Sequence, residues 1–241
     1  MTTCKSIFIS DVHLGTEPCE AKKLLKLLKN TQFQELYLVG DIIDMSNMKG
    51  KFYWSKTHNK VLKFILKLSK DANIKIYYII GNHDIHFTPI INNNIGNIKI
   101  VEKLTYKIKD KKYLILHGHQ FDGVIKNMTW LYNLGNWSYD IALKFSKIIN
   151  NIRKMFGLQD WSLANYLKHN IKNIIKFVNN YEKLVIQEAK NGSYDGVICG
   201  HIHIAADKII EDIHYLNTGC WTDPLCSFIV DNGNNLELRY F

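Results

Sequence analysis

The turn that follows residues 76–80 constrains the fold more than any other feature of the sequence. Residues 76–80 are apolar or aromatic and predict a buried strand, which runs into Gly81-Asn82-His83-Asp84. Because glycine lets the backbone bend sharply, the next three side chains can point into one space beyond the strand. Crevices at this edge of open α/β sheets bind ligands. Ordinary turn chemistry explains an isolated Asn-His-Asp equally well, so the interpretation depends on the rest of the chain.

Four other predicted strands also end in side chains that can bind a metal. These are Asp11 and His13 after residues 6–10, Asp41 after 36–39, His117 after 113–116, and His201 and His203 after 196–199. Residues two apart on a strand share a face, so each such pair can reach one point. Five groups of possible metal ligands at the same edge of a parallel sheet are improbable by chance. Asp44 is ambiguous, because an Asp at this place is also suited to cap a turn.

The order of the predicted elements indicates an α/β fold with a single domain over residues 1–241. Strand and helix patterns alternate through the first third of the chain, which predicts a parallel core with right-handed crossovers. We expect the first helix to begin near Thr16 and Pro18, a cap and a first-turn proline. Further short strands are predicted at 98–101, 105–108, 214–217, 228–230 and 236–240. Residues 121–190 show apolar residues at helical spacing only, and predict a helical insertion.

The charge of the chain favours an anionic partner. The formal net charge is +9, and the insertion at 121–190 contains ten Lys or Arg against five Asp or Glu. Trp and Tyr side chains crowd this region as well: Trp130, Tyr132, Trp137, Tyr139, Trp161 and Tyr166. Core packing explains such aromatic residues taken singly. Together they predict a basic, aromatic cap suited to an amphiphilic anionic substrate or to a membrane surface.

The sequence also predicts a cytoplasmic protein. Residues 1–5 lead directly into the first strand and leave no room for a signal peptide, and no apolar run is long enough to span a bilayer. The five cysteines contain no CxxC pair. We therefore expect reduced, mostly buried thiols.

The candidate ligands are more numerous than one tetrahedral ion uses. They are Asp11, His13, Asp41, Asn82, His117, His201 and His203. Nitrogen and oxygen donors without thiolate favour Mn, Fe or Zn. We predict two divalent ions, with Mn²⁺ as the expected metal and one carboxylate as a bridge. Such a pair would bind a phosphoryl oxygen and lower the pKa of a shared water, so that hydroxide attacks phosphorus in line.

His83 is interpreted differently from the other histidines, because it stands next to a carboxylate in the sequence. Asp84 is placed to orient and charge its imidazole. We assign His83 as the general acid for the leaving oxygen, and not as a ligand. Asn82, His83 and Asp84 form the predicted catalytic group.

Taken in order, these motifs resemble the five motifs of the calcineurin-like metallophosphoesterases. The matching segments are Asp11-Val12-His13, Gly40-Asp41 with Asp44, Gly81-Asn82-His83-Asp84, His117-Gly118-His119 and Gly200-His201-Ile202-His203. The resemblance implies a double-sheet sandwich flanked by helices. It also implies one ion held by Asp11, His13, Asp41 and His203, and a second held by Asp41, Asn82, His117 and His201. Asp41 would then be the bridge.

Within that superfamily the sequence is most similar to the bacterial UDP-2,3-diacylglucosamine diphosphatases. The similarity rests on the Asp-Val-His-Leu-Gly opening, residues 37–44, Tyr53-Trp54, His58-Asn59, Gln120-Phe121-Asp122 and the helical insertion. It implies cleavage of a UDP-linked diacyl sugar to UMP and a lipid sugar phosphate, in lipid A biosynthesis. The cap would shelter acyl chains and would contact the cytoplasmic face of the inner membrane peripherally.

Two other functions remain as alternatives. One is a broad-specificity phosphodiesterase or nuclease of the same superfamily, because His83 and His119 stand where that diphosphatase group often has Arg and usually has Asp. Nucleic acid is not the expected partner, since the lysines lie mainly on the solvent-exposed faces of predicted amphipathic helices. The other alternative is a scaffold without catalytic activity, and its signature would be replaced ligands. The sequence leaves the oligomeric state open.

Overall fold

Two β-sheets with flanking helices form the framework of this computed structural model, which describes residues 2–45, 52–125 and 163–241. The helices are α1 (Ala21–Asn30), α2 (Lys56–Leu68), α3 (Asp122–Ile125) and α4 (Leu163–Asn191), with 3-10 turns at Ile85–Ile90 and His119–Phe121. The first strands are β1 (Thr2–Thr3), β2 (Ser6–Ile9), β3 (Thr31–Gln32), β4 (Glu35–Val39), β5 (Lys75–Ile79), β6 (Asn94–Ile95) and β7 (Ile98–Val101). The later strands are β8 (Lys103–Ile108), β9 (Lys111–Leu116), β10 (Gly196–Cys199), β11 (Ala206–Ile210), β12 (Ile213–Asn217), β13 (Ser227–Asp231) and β14 (Leu236–Tyr240).

The larger sheet has seven strands in the order β14-β13-β2-β4-β5-β7-β6. Its centre, β2-β4-β5-β7, is parallel, as the alternating sequence pattern predicts. The smaller sheet has five strands in the order β11-β12-β10-β9-β8, and β12, β10 and β9 are parallel. A short parallel pair, β1 and β3, stands apart from both.

Side-chain alternation along the central strands builds two separate apolar cores. Successive residues of a strand face opposite sides of the sheet. Ile7 and Ile9 therefore belong to one core with buried residues of α1 and α2, whereas Phe8 belongs to the other. The second core also contains Ile115 and Ile198 from the smaller sheet, so it lies between the sheets. The predicted two-sheet fold flanked by helices is confirmed.

Most strand bounds agree with the predictions, but two expectations are wrong. The strand ends do not share the edge of a single sheet, because β2, β4 and β5 belong to the larger sheet and β9 and β10 to the smaller one. Helix α1 begins at Ala21 and not near Thr16. The hydroxyl of Thr16 donates to the carbonyl oxygen of His13 at 2.8 Å, so Thr16 closes the turn after β2 and caps no helix.

The chain divides into two compact units, Met1–Gln120 with Val185–Phe241 and Phe121–Leu184. Helix α4 runs from the second unit into the first along the sequence, and Val185, Ile186 and Ala189 near its end are buried. The aromatic residues predicted for the cap, from Trp130 to Trp161, lie outside the described residues. A single domain with an insertion at 121–190 stays a prediction. None of the described helices combines the length and apolar character of a membrane span.

Candidate metal centre

Six of the seven predicted ligands, together with His83, converge in three overlapping groups. In each group the potential ligand atoms lie within 4.8 Å of one another. The groups are Asp11 with His13 and His203, His13 with Asp41 and His83, and Asp41 with His117 and His201. The first and third correspond to the two ligand sets that the sequence predicts, and the second connects them through His13 and Asp41.

Asp11 is the buried carboxylate of the first group. Its Oδ2 accepts hydrogen bonds from the Ser10 hydroxyl and from the backbone N–H of His201, the latter at 2.9 Å. Its Oδ1 lies 3.1 Å from Nε2 of His203 and 4.0 Å from Nε2 of His13. One oxygen is therefore used to fix the carboxylate, and the other faces the imidazoles. Sequence reasoning did not single out Ser10, whose hydroxyl also contacts that of Thr218 at 2.5 Å.

Asp41 lies at the centre of the three groups. Its Oδ1 accepts the backbone N–H of His83 at 2.8 Å, so this oxygen too is fixed by the main chain. Its Oδ2 lies 3.3 Å from Nε2 of His117, 3.9 Å from Nε2 of His13 and 4.0 Å from Nε2 of His83. Asp41 therefore reaches histidines of both predicted ligand sets, so it would help to hold both ions.

The backbone at these strand ends adopts a conformation that side chains with a Cβ rarely take. Asp11, His13, Asp41, His201 and His203 all have a positive φ, between 50° and 71°. Such residues cost about 1–3 kcal/mol each and cluster at functional sites. The surrounding fold must therefore stabilise these turns, and it does so in a way that directs the side chains to one place.

Two of the histidines are oriented by hydrogen bonds at Nδ1. Nδ1 of His117 lies 2.8 Å from the carbonyl oxygen of Val39, and Nδ1 of His13 lies 3.2 Å from Oδ2 of Asp44. When Nδ1–H donates to such an acceptor, Nε2 carries the lone pair and is the atom that binds a metal. In both residues Nε2 is the atom directed at Asp41.

The expected pairing of His83 with Asp84 is wrong. Nδ1 of His83 lies 3.0 Å from Oδ2 of Asp44. Asp84 instead accepts hydrogen bonds from the Tyr78 hydroxyl at 2.6 Å and from the backbone N–H groups of Gly81 and Ile42 at 2.6 and 3.0 Å. Asp84 therefore fixes the turn that carries Asn82 and His83. The ambiguous Asp44 is the residue that orients the imidazole.

Asn82 occupies the same turn, between Gly81 and His83. Its Oδ1 is buried and has no hydrogen-bond partner. A Cβ on Gly81 would collide with the side chain of Asp41 and lie 2.5 Å from its backbone nitrogen, so only glycine permits this close approach. The ring of His119 lies 5.6 Å from that of His117, which places His119 beside the third group.

Charges within the site act on the pKa values of the carboxylates and imidazoles in opposite directions. Burial by itself raises the pKa of Asp11 and Asp41, but His203 and His117 outweigh it, so the pKa of Asp11 is lowered and that of Asp41 falls to about 2. Burial lowers the pKa of His117 and His203, but Asp41 and Asp11 raise it to about 9 and 10. Burial lowers the pKa of His83 as well, but the hydrogen bond that its imidazole donates to Asp44 and the charges of Asp41 and Asp44 together outweigh burial, so the pKa of His83 is raised. The carboxylates therefore stay ionised, and each favours a cation beside it, either a proton on the imidazoles or a metal ion that replaces that proton.

The residues fit a pair of divalent ions. Among the described residues, the buried Oδ1 of Asn82 has no hydrogen-bond partner, and Asp11 Oδ1 faces imidazole nitrogens of His203 and His13 at 3.1 and 4.0 Å. Buried polar atoms in proteins are normally satisfied, and those left over mark a missing ion or ligand. Imidazole and carboxylate donors without thiolate are the set that suits Mn, Fe or Zn. The fold and site thus define a metal-binding α/β protein with its ligands at the carboxyl ends of strands.

The chain belongs to the calcineurin-like phosphoesterase family, whose sequence model matches residues 5–205. It is therefore a metal-dependent phosphohydrolase of the superfamily that its motifs resemble. The family uses a dinuclear metal site, which agrees with the clusters described above.

Similar proteins extend over nearly the whole chain. A UDP-2,3-diacylglucosamine hydrolase of Porphyromonas gingivalis is 23% identical over 98% of this chain and 97% of its own length. Among solved structures, an archaeal phosphodiesterase is 14% identical with a TM-score of 0.46, covering 98% of this chain and 99% of its own. Vacuolar protein sorting 29 of Cryptosporidium parvum is 14% identical with a TM-score of 0.44, covering 98% of this chain and 96% of its own.

Proposed function

We propose that the protein cleaves the pyrophosphate bond of a UDP-linked diacyl sugar such as UDP-2,3-diacylglucosamine, releasing UMP and a lipid sugar phosphate. One observation carries this proposal: the relative from Porphyromonas gingivalis bears that substrate in its name and aligns with this chain from end to end. Its identity of 23% supports the family more strongly than the substrate. The experiment below is therefore designed to separate the two.

Two sets of residues would hold two metal ions, and we propose that both ions are Mn²⁺. Asp11, His13, Asp41 and His203 form one set, and Asp41, Asn82, His117 and His201 form the other. The distances of 3.9 and 3.3 Å from Asp41 Oδ2 to the imidazoles of His13 and His117 support its role as the shared ligand. When bound, the pair supplies a Lewis acid for the phosphoryl oxygen and an activated water as nucleophile.

His83 acts on the leaving group in this mechanism. Its side chain is 30% exposed, whereas those of His117 and His13 are 0% and 7% exposed, so a substrate can reach it. The Nδ1 contact with Asp44 leaves Nε2 directed toward the site, where it can donate a proton to the departing oxygen. Asn82 would bind a metal ion through its buried Oδ1. Asp84 holds the turn that carries Asn82 and His83 in place.

We further propose that the 121–190 region handles the lipid part of the substrate and contacts an acidic membrane surface from the cytoplasmic side. In the described part of α4, Ile174 and Ile175 are 36% and 54% exposed, next to the exposed Lys172 and Lys176. Apolar and basic side chains exposed together are typical of helices that lie at a lipid interface. This supports a peripheral contact.

The test is release of UMP from UDP-2,3-diacylglucosamine by metal-stripped protein, with and without added Mn²⁺, beside hydrolysis of bis-p-nitrophenyl phosphate. UMP release that depends on metal is the expected result. Hydrolysis of the artificial diester alone would retain the mechanism, reject the substrate and favour the broad-specificity phosphodiesterase. If neither substrate is hydrolysed with any added metal, both the proposed mechanism and the proposed substrate are rejected.

A further inference from the structure

A cavity of about 250 Å³ lies directly beside the metal centre. The predicted ligand His203 forms part of its wall, and the buried residues Cys220 and Ser227 also line it. Its other lining residues lie at or near the surface, so the cavity opens to solvent. A group bound there would be adjacent to a phosphoryl group held by the metals.

Hydrogen bonds fix this cavity relative to the metal ligands. The backbone N–H of Trp221, next to Cys220, donates to the carbonyl oxygen of Asp11 at 3.0 Å. Oγ of Ser10, which donates its proton to Asp11, also lies 3.2 Å from the carbonyl oxygen of Gly219. The cavity wall therefore cannot shift without moving the strand end that carries Asp11. Such preorganisation is expected of a subsite that must orient a substrate.

The rim of the cavity offers an aromatic surface and a carboxylate. Tyr240 is 54% exposed and Leu225 is 63% exposed, although both line the cavity. Tyr240 pairs with Ser227 across β13 and β14, so the ring and the hydroxyl stand on the same wall. The carboxylate of the exposed Asp223 accepts the N–H of Leu225 at 3.0 Å through Oδ1 and thus has a fixed orientation.

These features favour a neutral ring over a phosphate or an alkyl chain. Among the described residues, neither Lys nor Arg lines the cavity, and Asp223 would repel an anion. The nearby Lys23 directs its ammonium group to the carbonyl oxygen of Pro224 at 2.6 Å. An alkyl chain would leave the carboxylate of Asp223 facing hydrocarbon, which is unfavourable.

We propose that this cavity is the nucleobase subsite of the enzyme. The base stacks on Tyr240 and Leu225, and a ring N–H of the base donates to Asp223, while the attached 5′-phosphoryl group lies at the metal centre. The identification of the base as uracil rests on the proposed function. The tyrosine ring should contribute most to the affinity for the base, because stacking of a base on an aromatic ring is a strong contact.

The experiment compares UMP with ribose 5-phosphate as inhibitors of bis-p-nitrophenyl phosphate hydrolysis by the metal-loaded protein. Both carry the phosphate and the ribose, so the ratio of their inhibition constants isolates the base. We expect UMP to bind about tenfold more tightly. Tyr240→Ala should bring the ratio close to one. Ile209→Ala, on an equally exposed strand residue that does not line the cavity, should leave the ratio unchanged.

A second measurement does not depend on activity. Saturation-transfer NMR should show magnetisation reaching the uracil protons of UMP in the parent protein and in Ile209→Ala, and little in Tyr240→Ala. Equal inhibition by UMP and ribose 5-phosphate, or a UMP preference that survives Tyr240→Ala, would overturn the subsite. A UMP preference abolished by Tyr240→Ala in a protein that does not cleave UDP-2,3-diacylglucosamine would support the subsite and reject the lipid substrate.

Discussion

Oδ2 of Asp44 lies 3.0 Å from Nδ1 of His83, although a different carboxylate, Asp84, follows His83 directly in the sequence. The same oxygen of Asp44 lies 3.2 Å from Nδ1 of His13. One carboxylate therefore orients both a proposed metal ligand and the proposed general acid. The side chain of Asp44 is only 2% exposed, so solvent weakens these contacts little.

Replacement of Asp44 tests this arrangement. In Asp44→Asn, the amide keeps a hydrogen-bond acceptor but carries no negative charge, so it does not stabilise positive charge on His83 and binds the Nδ1–H of His13 more weakly. We expect turnover of bis-p-nitrophenyl phosphate to fall by roughly 10–100-fold, the usual cost of losing a partner of a metal ligand. Steady-state kinetics measures the loss, and metal analysis of the same sample shows whether the His13 site is weakened.

Asp84→Asn is the matched control, because it makes the same chemical change in the same wall of the site. Asp84 bonds to Tyr78, Gly81 and Ile42 and contacts no imidazole. We expect the free energy of unfolding to fall by about 1–3 kcal/mol, as for other buried groups left unsatisfied. Urea denaturation measures it. If Asp44→Asn and Asp84→Asn were equally stable and lost the same turnover, the separate roles of Asp44 and Asp84 would be contradicted.

Gly81→Ala should empty the centre of metal and lower the stability of the fold. The new methyl group would collide with the carboxylate of Asp41, the proposed bridge, and would lie 2.5 Å from its backbone nitrogen, so the turn must shift as well as the side chain. We expect a clear loss of bound metal by elemental analysis and a lower free energy of unfolding. Gly123→Ala is the control, because none of the described residues lies within 4 Å of the position that its Cβ would take. Full metal content in Gly81→Ala would show that the turn is more adaptable than its contacts indicate.

The sequence predicts the strand ends well, for a local reason. Each apolar run is long enough for one buried strand, and the residues that follow it must leave the sheet at its carboxyl end. This places Asp11, Asp41 and His117 each at the end of a strand, although the first two belong to the larger sheet and His117 to the smaller one. The observed bounds of β7 and β10 agree with the prediction for the same reason.

Contacts between distant strands are not visible in the sequence. Asp44 meets His83 because β4 and β5 are neighbours, which depends on the register of the sheet. The division into two sheets likewise depends on packing, which periodicity does not encode. Strand β11 was missed because it is an edge strand with mostly exposed residues, so it lacks the apolar alternation of the other strands.

Three of the thiols should react slowly in the folded protein. None of the five cysteines forms a disulfide, and burial raises the pKa of Cys4 and Cys226 to about 11 and that of Cys19 to about 12. Since the thiolate is the reactive form, alkylation of these three at pH 8 should be much slower than in guanidinium, and should accelerate as the pH rises toward 11. Mass spectrometry of iodoacetamide-treated protein measures each site. Equal labelling in both states would contradict this burial.

A second, entirely apolar cavity offers a test of the packing beneath α2. It measures about 120 Å³ and is lined by residues such as Leu14, Ile43 and Leu62. Leu62→Phe should fill part of it and raise the free energy of unfolding by about 1 kcal/mol. Leu25→Phe, on α1 and away from the cavity, should give no such gain. A loss of stability in Leu62→Phe would mean that the cavity cannot accept a larger ring.

The measurement that tests the central claim most directly is the number of metal ions bound per chain in the parent protein, in Asp41→Ala and in His83→Ala. The account predicts about two Mn²⁺ for the parent, a large loss in Asp41→Ala with no activity, and nearly full metal with little turnover in His83→Ala. A parent protein that binds one ion, or an Asp41→Ala variant that retains both, would contradict a dinuclear centre bridged by Asp41. Loss of metal in His83→Ala would contradict the role of His83 as an acid.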